Sequence, residues 1–246
     1  MSNAKRWRLL LFGDPKTGKT SLAETAPGPR LLLDAEGGSE WLASDVTEWD
    51  PVNGAPPSGL DPDATVVVHV REWEMISRIN RWLQKGDHEF RSVILDSLTE
   101  LQKQAKRAIT DTMRLQDWGT LYDNMDPVLR EIRDLTKIPG SPVECVIITA
   151  LANTKDDKTI PDIQGSMARS LAGQMDTIAF LRPGTMQSDG TVSREMLVDA
   201  RQGISAGDRT KVLRRKFNGV VPIVIDDTTD KLSWNIAELL ELMNDG

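Results

Sequence analysis

The sequence predicts an α/β fold with a mostly parallel central sheet, and two observations carry that prediction. Short apolar runs recur along the chain: Leu9-Leu10-Leu11-Phe12, Arg30-Leu31-Leu32-Leu33, residues 65–70, Val93-Ile94-Leu95 and residues 143–150. Their length and β-branched content read as buried strands. Between them lie stretches with apolar residues at helical spacing, such as Trp73, Ile76, Ile79, Trp82 and Leu83. Strands that alternate with helices point to parallel pairing. With 246 residues, 1–246 is read as one domain.

The first strand carries the strongest motif. It runs into Gly13-Asp14-Pro15-Lys16-Thr17-Gly18-Lys19-Thr20-Ser21, which matches the G-x-x-x-x-G-K-[ST] phosphate loop. The glycines allow a tight turn whose backbone N–H groups converge on an anion. The helix expected from about Lys19 adds the positive end of its dipole. Lys19 would reach the β- and γ-phosphates of ATP, and the Thr20 hydroxyl would hold Mg²⁺. The strand before the loop and the helix pattern after it (Leu22, Ala23, Thr25, Ala26) argue against a glycine turn that binds nothing.

Composition narrows the class. No apolar run approaches the ~20 residues needed to cross a bilayer, and the basic start of the chain has no apolar stretch after it, so neither a membrane span nor a signal peptide is expected. The single cysteine, Cys145, cannot form an internal disulfide, which fits a cytoplasmic protein. Two histidines and one cysteine leave no zinc cluster. A net charge of −7 argues against broad electrostatic binding to nucleic acid but leaves room for a local basic surface.

Taken in order, the second strand ends in Asp34-Ala35-Glu36-Gly37-Gly38, acids placed where ligands bind in open parallel sheets. Two solvated loop acids remain the alternative. Residues 45–64, with four prolines, read as a loop excursion. Val93-Ile94-Leu95-Asp96 ends in a carboxylate suited to organising Mg²⁺, on a strand expected next to that of the phosphate loop. A long helix follows. Asp126-Pro127 reads as the start of another helix, or as a kink in a longer one. Thr149 is expected to end the strand at 143–150, where it would sense the γ-phosphate or be satisfied by backbone. Residues 152–174 read as a long loop, and such loops are functional or disordered. Two more strands are expected at 177–181 and 191–200, around a turn through Asp189-Gly190. Residues 201–216 hold six cations (Arg201, Arg209, Lys211, Arg214, Arg215, Lys216) against one acid, Asp208. Trp41 is either an adenine-stacking ring or a core residue.

On these motifs the chain resembles the RecA-like P-loop ATPases, and more closely the short, core-only RecA-like proteins of phages that assist single-strand annealing and recombination. The phosphate loop is Gly13 to Thr20. Leu32-Leu33-Asp34-Ala35-Glu36 looks like the strand delivering the catalytic glutamate, which would be Glu36. Ile94-Leu95-Asp96-Ser97 matches the Mg²⁺ carboxylate strand, and Ile147-Ile148-Thr149-Ala150 the sensor strand, with Thr149 where an amide side chain is common. The resemblance implies a three-layer fold, and makes the 152–174 loop a mobile DNA-binding loop, with Lys155, Lys158, Gln164 and Arg169 as its contacts. It also implies a homo-oligomer, ring or filament, in which Arg209 and Lys211 meet a neighbour's γ-phosphate. DNA phosphates or bare solvent are the other readings of those two cations.

The expected function is a DNA-dependent ATPase acting on single-stranded DNA in phage-type recombination, annealing or replication, with ATP and Mg²⁺ as cofactors. A single-strand-binding or annealing protein is a further expected partner. Two rivals stand beside it: a nucleotide-binding scaffold without turnover, and a small-molecule kinase.

Overall fold

The computed structural model describes residues 5–42, 45–186, 192–201, 203–223 and 234–245. In chain order the elements are β1 (Trp7–Gly13), α1 (Lys19–Glu24), β2 (Arg30–Asp34), a 3₁₀ turn (Gly38–Trp41), β3 (Val46–Glu48), β4 (Thr65–His69), α2 (Glu74–Gln84), β5 (Ser92–Asp96), α3 (Leu98–Ile109) and α4 (Leu115–Asp134). After them come β6 (Cys145–Lys155), β7 (Lys158–Pro161), α5 (Met167–Gln174), β8 (Thr177–Met186), β9 (Val192–Leu197), β10 (Gly207–Asp208), α6 (Val212–Phe217), β11 (Val220–Ile223) and α7 (Ile236–Asp245). The sheet order is β11-β9-β8-β1-β6-β5-β2-β4-β3, with β10 pairing β8 and β7 pairing β6. From β8 to β3 every neighbouring pair is parallel, while β9, β10, β11 and β7 pair antiparallel. The expected α/β class and mostly parallel sheet are what the chain forms.

Period-2 alternation along the strands builds three layers. Leu10, Phe12, Leu31, Leu33, Val93 and Leu95 face one side, where α2, α3, α4 and α5 supply residues such as Ile76, Leu101, Leu129 and Leu171. Leu9, Leu11, Leu32, Ile94 and Ile147 face the other side, against Leu22 of α1, Leu213 of α6 and Leu239 of α7. Because both faces are covered, the runs are apolar without interruption.

Several expectations change. The 45–64 excursion opens with a strand: β3 adds to the sheet edge, with Val46 opposite Thr65. Three residues flanked by Pro, Gly and Asp are too few to show a period in the sequence. Of the two readings of Asp126-Pro127, the longer helix is what forms: α4 is continuous, with Pro127 inside it. The predicted mobile loop at 152–174 is instead a β-hairpin followed by a helix. Here β6 runs on past the sheet and turns at Asp156 and Asp157, both left-handed, into β7. The hairpin's outer edge is tied down in turn: the Thr159 amide donates to the Gly203 carbonyl (3.0 Å) and the Ser205 amide to the Thr159 carbonyl (2.9 Å). The turn through Asp189-Gly190 and the start of the strand expected at 191 lie outside the described residues. Among the described residues no helix is long and apolar enough to cross a membrane.

One close approach sets the position of the loop after β1. A Cβ on Gly13 would lie 2.5 Å from the Leu181 carbonyl oxygen of β8 and 3.0 Å from the Thr17 hydroxyl. Any side chain there must push β1 from β8. Gly13→Ala should therefore destabilise the fold by about 1–3 kcal/mol, the range for an overpacked core. In thermal melts that is a drop of roughly 2–10 °C for a domain of this size. A melt matching the parent would mean that the two strands separate without cost.

Candidate functional site

Four strands deliver the site to one edge of the sheet. The C-terminal ends of β1, β6, β5 and β2 meet there, as ligand sites do in open α/β sheets. The sequence reading placed the Asp96 strand beside that of the phosphate loop. In the fold β6 lies between them, and β2, with Glu36 at its end, stands a further strand away. The insertion of β6 brings Thr149 to Asp96.

The loop from Gly13 to Gly18 turns on two left-handed residues, Lys16 (φ 64°) and Gly18 (φ 89°). The Thr17 hydroxyl closes it by donating to the Asp14 carbonyl at 2.9 Å. Asp14, Pro15 and Lys16 are exposed, and Ser21 is half-buried on α1. Lys19 opens α1, and its Nζ folds back to donate to the Gly13 and Asp14 carbonyls at 3.1 and 2.8 Å. Burial holds its ammonium below the ordinary lysine range, against the raising pull of Asp96, Glu36 and Asp14. A cation so poorly solvated gains by meeting an anion.

Asp96 sits at the centre. It is 2% exposed. Its Oδ2 accepts from the Thr20 hydroxyl at 2.6 Å, and its Oδ1 accepts from the Thr149 hydroxyl. Burial raises its carboxyl above the usual range; the two hydroxyl bonds oppose this, and the charges of Glu36 and Asp34 add to it. Thr149 does not end its strand, because β6 runs six residues further into the hairpin. Opposite Gly13 stands Leu151. Thr149 is fully buried, so its hydroxyl acts on Asp96 rather than in the open cleft.

The two acids after β2 divide sharply. Asp34 is buried, and its carboxylate accepts from the amides of Glu36, Gly37, Gly38 and Ser39 at 2.8–3.3 Å and from the Ser39 hydroxyl at 2.5 Å. It is a scaffold that curls residues 36–39 over the sheet edge. Glu36 is exposed in the cleft, and its carboxylate accepts from the Ser97 hydroxyl. Sequence reasoning missed Ser97 and left Asp34 paired with Glu36. The signal for Asp34 was an Asp followed by Ala-Glu-Gly-Gly-Ser, the pattern of a side chain capping a run of amides. Trp41 ends the 3₁₀ turn at 86% exposure, which removes its core reading. It lines, with Lys16, Lys19, Thr20, Glu36 and Asp96, a cleft of about 370 Å³.

A hydroxyl and a carboxylate, both oxygen donors, are the set that Mg²⁺ takes alongside phosphate and water. No group of three His, Cys, Asp or Glu placed to hold a metal ion occurs among the described residues, so no all-protein metal cage competes with it. Thr20 and Asp96 fit that ion.

The other candidates lie elsewhere. Lys155 and Lys158 are exposed beside the hairpin turn, and Arg169 is exposed on α5. Gln164 is pinned to α3: its amide donates to the Gln102 side chain (2.7 Å), its carbonyl accepts from it (3.1 Å), and its side chain accepts from Lys106 (2.9 Å). The four are therefore spread over three structural settings rather than gathered in one loop. Arg209 and Lys211 follow β10, where Asp208 pairs with Thr177 at the start of β8. Gly13 pairs with Leu181 of the same strand. Four residues of strand, about 13 Å, separate the two levels, so neither cation reaches the cleft of its own chain.

Fold and site together define a phosphate-loop NTPase domain. Residues 5–210 match the family described as "AAA domain", and the chain belongs to that family. Among solved structures, one titled "Crystal structure of the RadB recombinase" is similar over 79% of this chain and 80% of that one, at 18% identity and a TM-score of 0.44. No curated protein matches.

Asp96 yields a prediction with a definite sign. A carboxyl whose pKa is raised by folding binds its proton more tightly in the folded state, so its contribution falls as pH rises from the unfolded value through the folded one. At pH 7 the ionised group is a cost to the fold. Asp96→Asn should therefore raise the melting temperature at pH 7 without Mg²⁺, by less at pH 4, and remove any Mg²⁺-dependent gain in nucleotide affinity. Melts at both pH values and titrations with and without MgCl₂ check this. A variant less stable than the parent at pH 7 would show that the two threonine bonds outweigh the burial.

Proposed function

We propose that this chain is a RecA-like ATPase that binds ATP with Mg²⁺ in the cleft, hydrolyses it, and works on single-stranded DNA as a homo-oligomer in recombination or annealing of the phage type. The observation that supports turnover is Glu36: an accessible carboxylate in the same cleft as Lys19, Thr20 and Asp96, on a loop fixed by Asp34. A scaffold that only held nucleotide would have no use for it.

Each residue has a part. The loop amides and Lys19 take the phosphates, and Lys19 trades its two carbonyl partners for them. Bound Mg²⁺ would neutralise phosphate charge and draw electrons from the bond to be broken. Thr20 and Asp96 orient toward that ion, and Thr149 fixes the Asp96 carboxylate. Glu36 accepts a proton from the attacking water, with the Ser97 hydroxyl holding its orientation. Trp41 offers its face to the nucleobase. Lys155, Lys158 and Arg169 contact the DNA backbone. Arg209 and Lys211 act, in this reading, on the γ-phosphate held by a neighbouring copy, a role worth about 10³–10⁵ in rate when an arginine supplies it in trans. A cytoplasmic location and a single-strand-binding or annealing partner accompany this reading.

The test is ATP turnover with and without single-stranded DNA in the parent, Lys19→Ala and Glu36→Gln. The parent should hydrolyse ATP, faster with DNA. Lys19→Ala should lose binding. Glu36→Gln should keep ATP affinity while its rate falls by roughly 10²-fold or more, the loss expected for a general base. Parent-like turnover in folded Glu36→Gln would assign the water to another group. A parent that binds ATP without any turnover would leave a scaffold.

A further inference from the structure

Helix α6 carries three cations, Arg214, Arg215 and Lys216, that the reading above leaves without a role. Lys211, Arg214, Arg215 and Lys216 are exposed, while Leu213 anchors the helix in the core. The one acid of the 201–216 stretch does not neutralise them. Asp208 is consumed by the turn: Oδ1 accepts from the Thr210 amide (2.9 Å) and hydroxyl (2.6 Å), and Oδ2 from the Arg214 amide (3.2 Å). Asp199 stands 3.4 Å from Arg214. Among the described residues Lys211 and Arg215 have no acid partner. The contrast with other arginines is plain, since Arg8, Arg91 and Arg182 each pair with a carboxylate at 2.6–2.9 Å. A protein of net charge −7 thus keeps three cations together on one helix, of which Arg214 alone has an acid partner among the described residues.

The block has the chemistry of a phosphate-backbone contact. Arg214, Arg215 and Lys216 are consecutive on α6, so their long side chains fan out over about half a turn within ~3 Å of rise. Two arginines bring guanidinium forks, which match phosphate oxygens. Beside them Phe217 and Trp234 meet edge to face, ring centres 5.2 Å apart, with the Lys216 ammonium 4.6 Å from the Trp234 ring. Both rings are half-buried against the core, so they steady Lys216 and leave a contact to the backbone rather than to the bases.

We propose that α6 is a contact site for the phosphodiester backbone of single-stranded nucleic acid, separate from both the nucleotide cleft and the β6–β7 hairpin. It rests on the reading that the protein works on single-stranded DNA, and adds a second surface for it. The site is set apart laterally: α6 leads into β11, which stands three strands from β1 in the sheet order, about 14 Å at ~4.8 Å per strand. A strand held there does not block the cleft of the same chain.

The experiment is fluorescence anisotropy with a labelled single-stranded oligonucleotide and the full chain, across a salt series. The variants are the doubles Arg215→Ala/Lys216→Ala and Lys155→Ala/Lys158→Ala, with mass in solution measured for each. The α6 variant should bind about tenfold more weakly at 0.1 M salt, and its log–log salt slope should flatten by about 1.4, two phosphates at ~0.7 each. Arg215→Lys/Lys216→Arg should bind like the parent. Parent-like affinity and slope in the α6 alanine variant overturn the proposal, even where the hairpin variant is weakened and the DNA reading stands. Weakened binding together with a lower mass also overturns it, because the cations would then act between subunits. A parent that binds no oligonucleotide removes the DNA reading itself.

Discussion

The site depends on one buried carboxylate held by two hydroxyls. Asp96 joins three elements at once: its own strand β5, the phosphate-loop helix through Thr20, and β6 through Thr149. Its burial costs free energy that two neutral donors do not recover, and its raised pKa is the signature of that deficit. A cation placed beside Thr20 would remove the deficit, and a cation is what an NTP phosphate brings with it. Lys19 mirrors the arrangement with opposite sign, as a buried ammonium turned onto two backbone carbonyls. The cleft therefore holds two charges at a disadvantage, each aimed at the chemistry that would relieve it.

Asp34 shows that residue type alone did not create this. It ends β2 as Asp96 ends β5, the two are directly paired across the sheet, and both are buried. Asp34 accepts from four amides and a hydroxyl. Several backbone N–H donors stabilise a carboxylate far better than two threonines do. One acid has spent its charge on shaping a loop; the other keeps its charge available. Glu36 gains its place from that shaping, since residues 36–39 are curled back over the edge by the Asp34 bonds.

How much of this was legible follows from how local each cause is. The phosphate loop was readable because its chemistry sits in consecutive residues, from Gly13 to Thr20. Asp96 was readable as the end of an apolar run. The order of the strands was not, because pairing between β1, β6 and β5 is settled by packing on both faces of the sheet, and no residue of β6 announces its neighbours. The hairpin was hidden by composition: Asn153, Thr154, Lys155, Asp156, Asp157 and Lys158 read as polar loop, yet pairing with β7 and the Gly203 and Ser205 contacts satisfy their backbone. The division between Asp34 and Glu36 could not be read from two acids a residue apart. It depends on which of them the chain buries.

The hairpin also changes the physical picture of how the cleft relates to the exposed lysines proposed to meet DNA. In a mobile loop, Lys155 would be joined to the cleft by flexible chain, and a change at Asp96 would dissipate along it. Here Thr149 and Lys155 lie on one unbroken strand, six residues apart. The Thr99 hydroxyl accepts from the Leu151 amide between them and donates to the Asp162 carbonyl, bracing that strand and the end of the hairpin against the start of α3. Because α3 directly follows Asp96 and Ser97, the braces return to the residues that hold Asp96 and Glu36. Thr149, which holds Asp96, and the exposed lysines therefore sit on one hydrogen-bonded strand braced to α3.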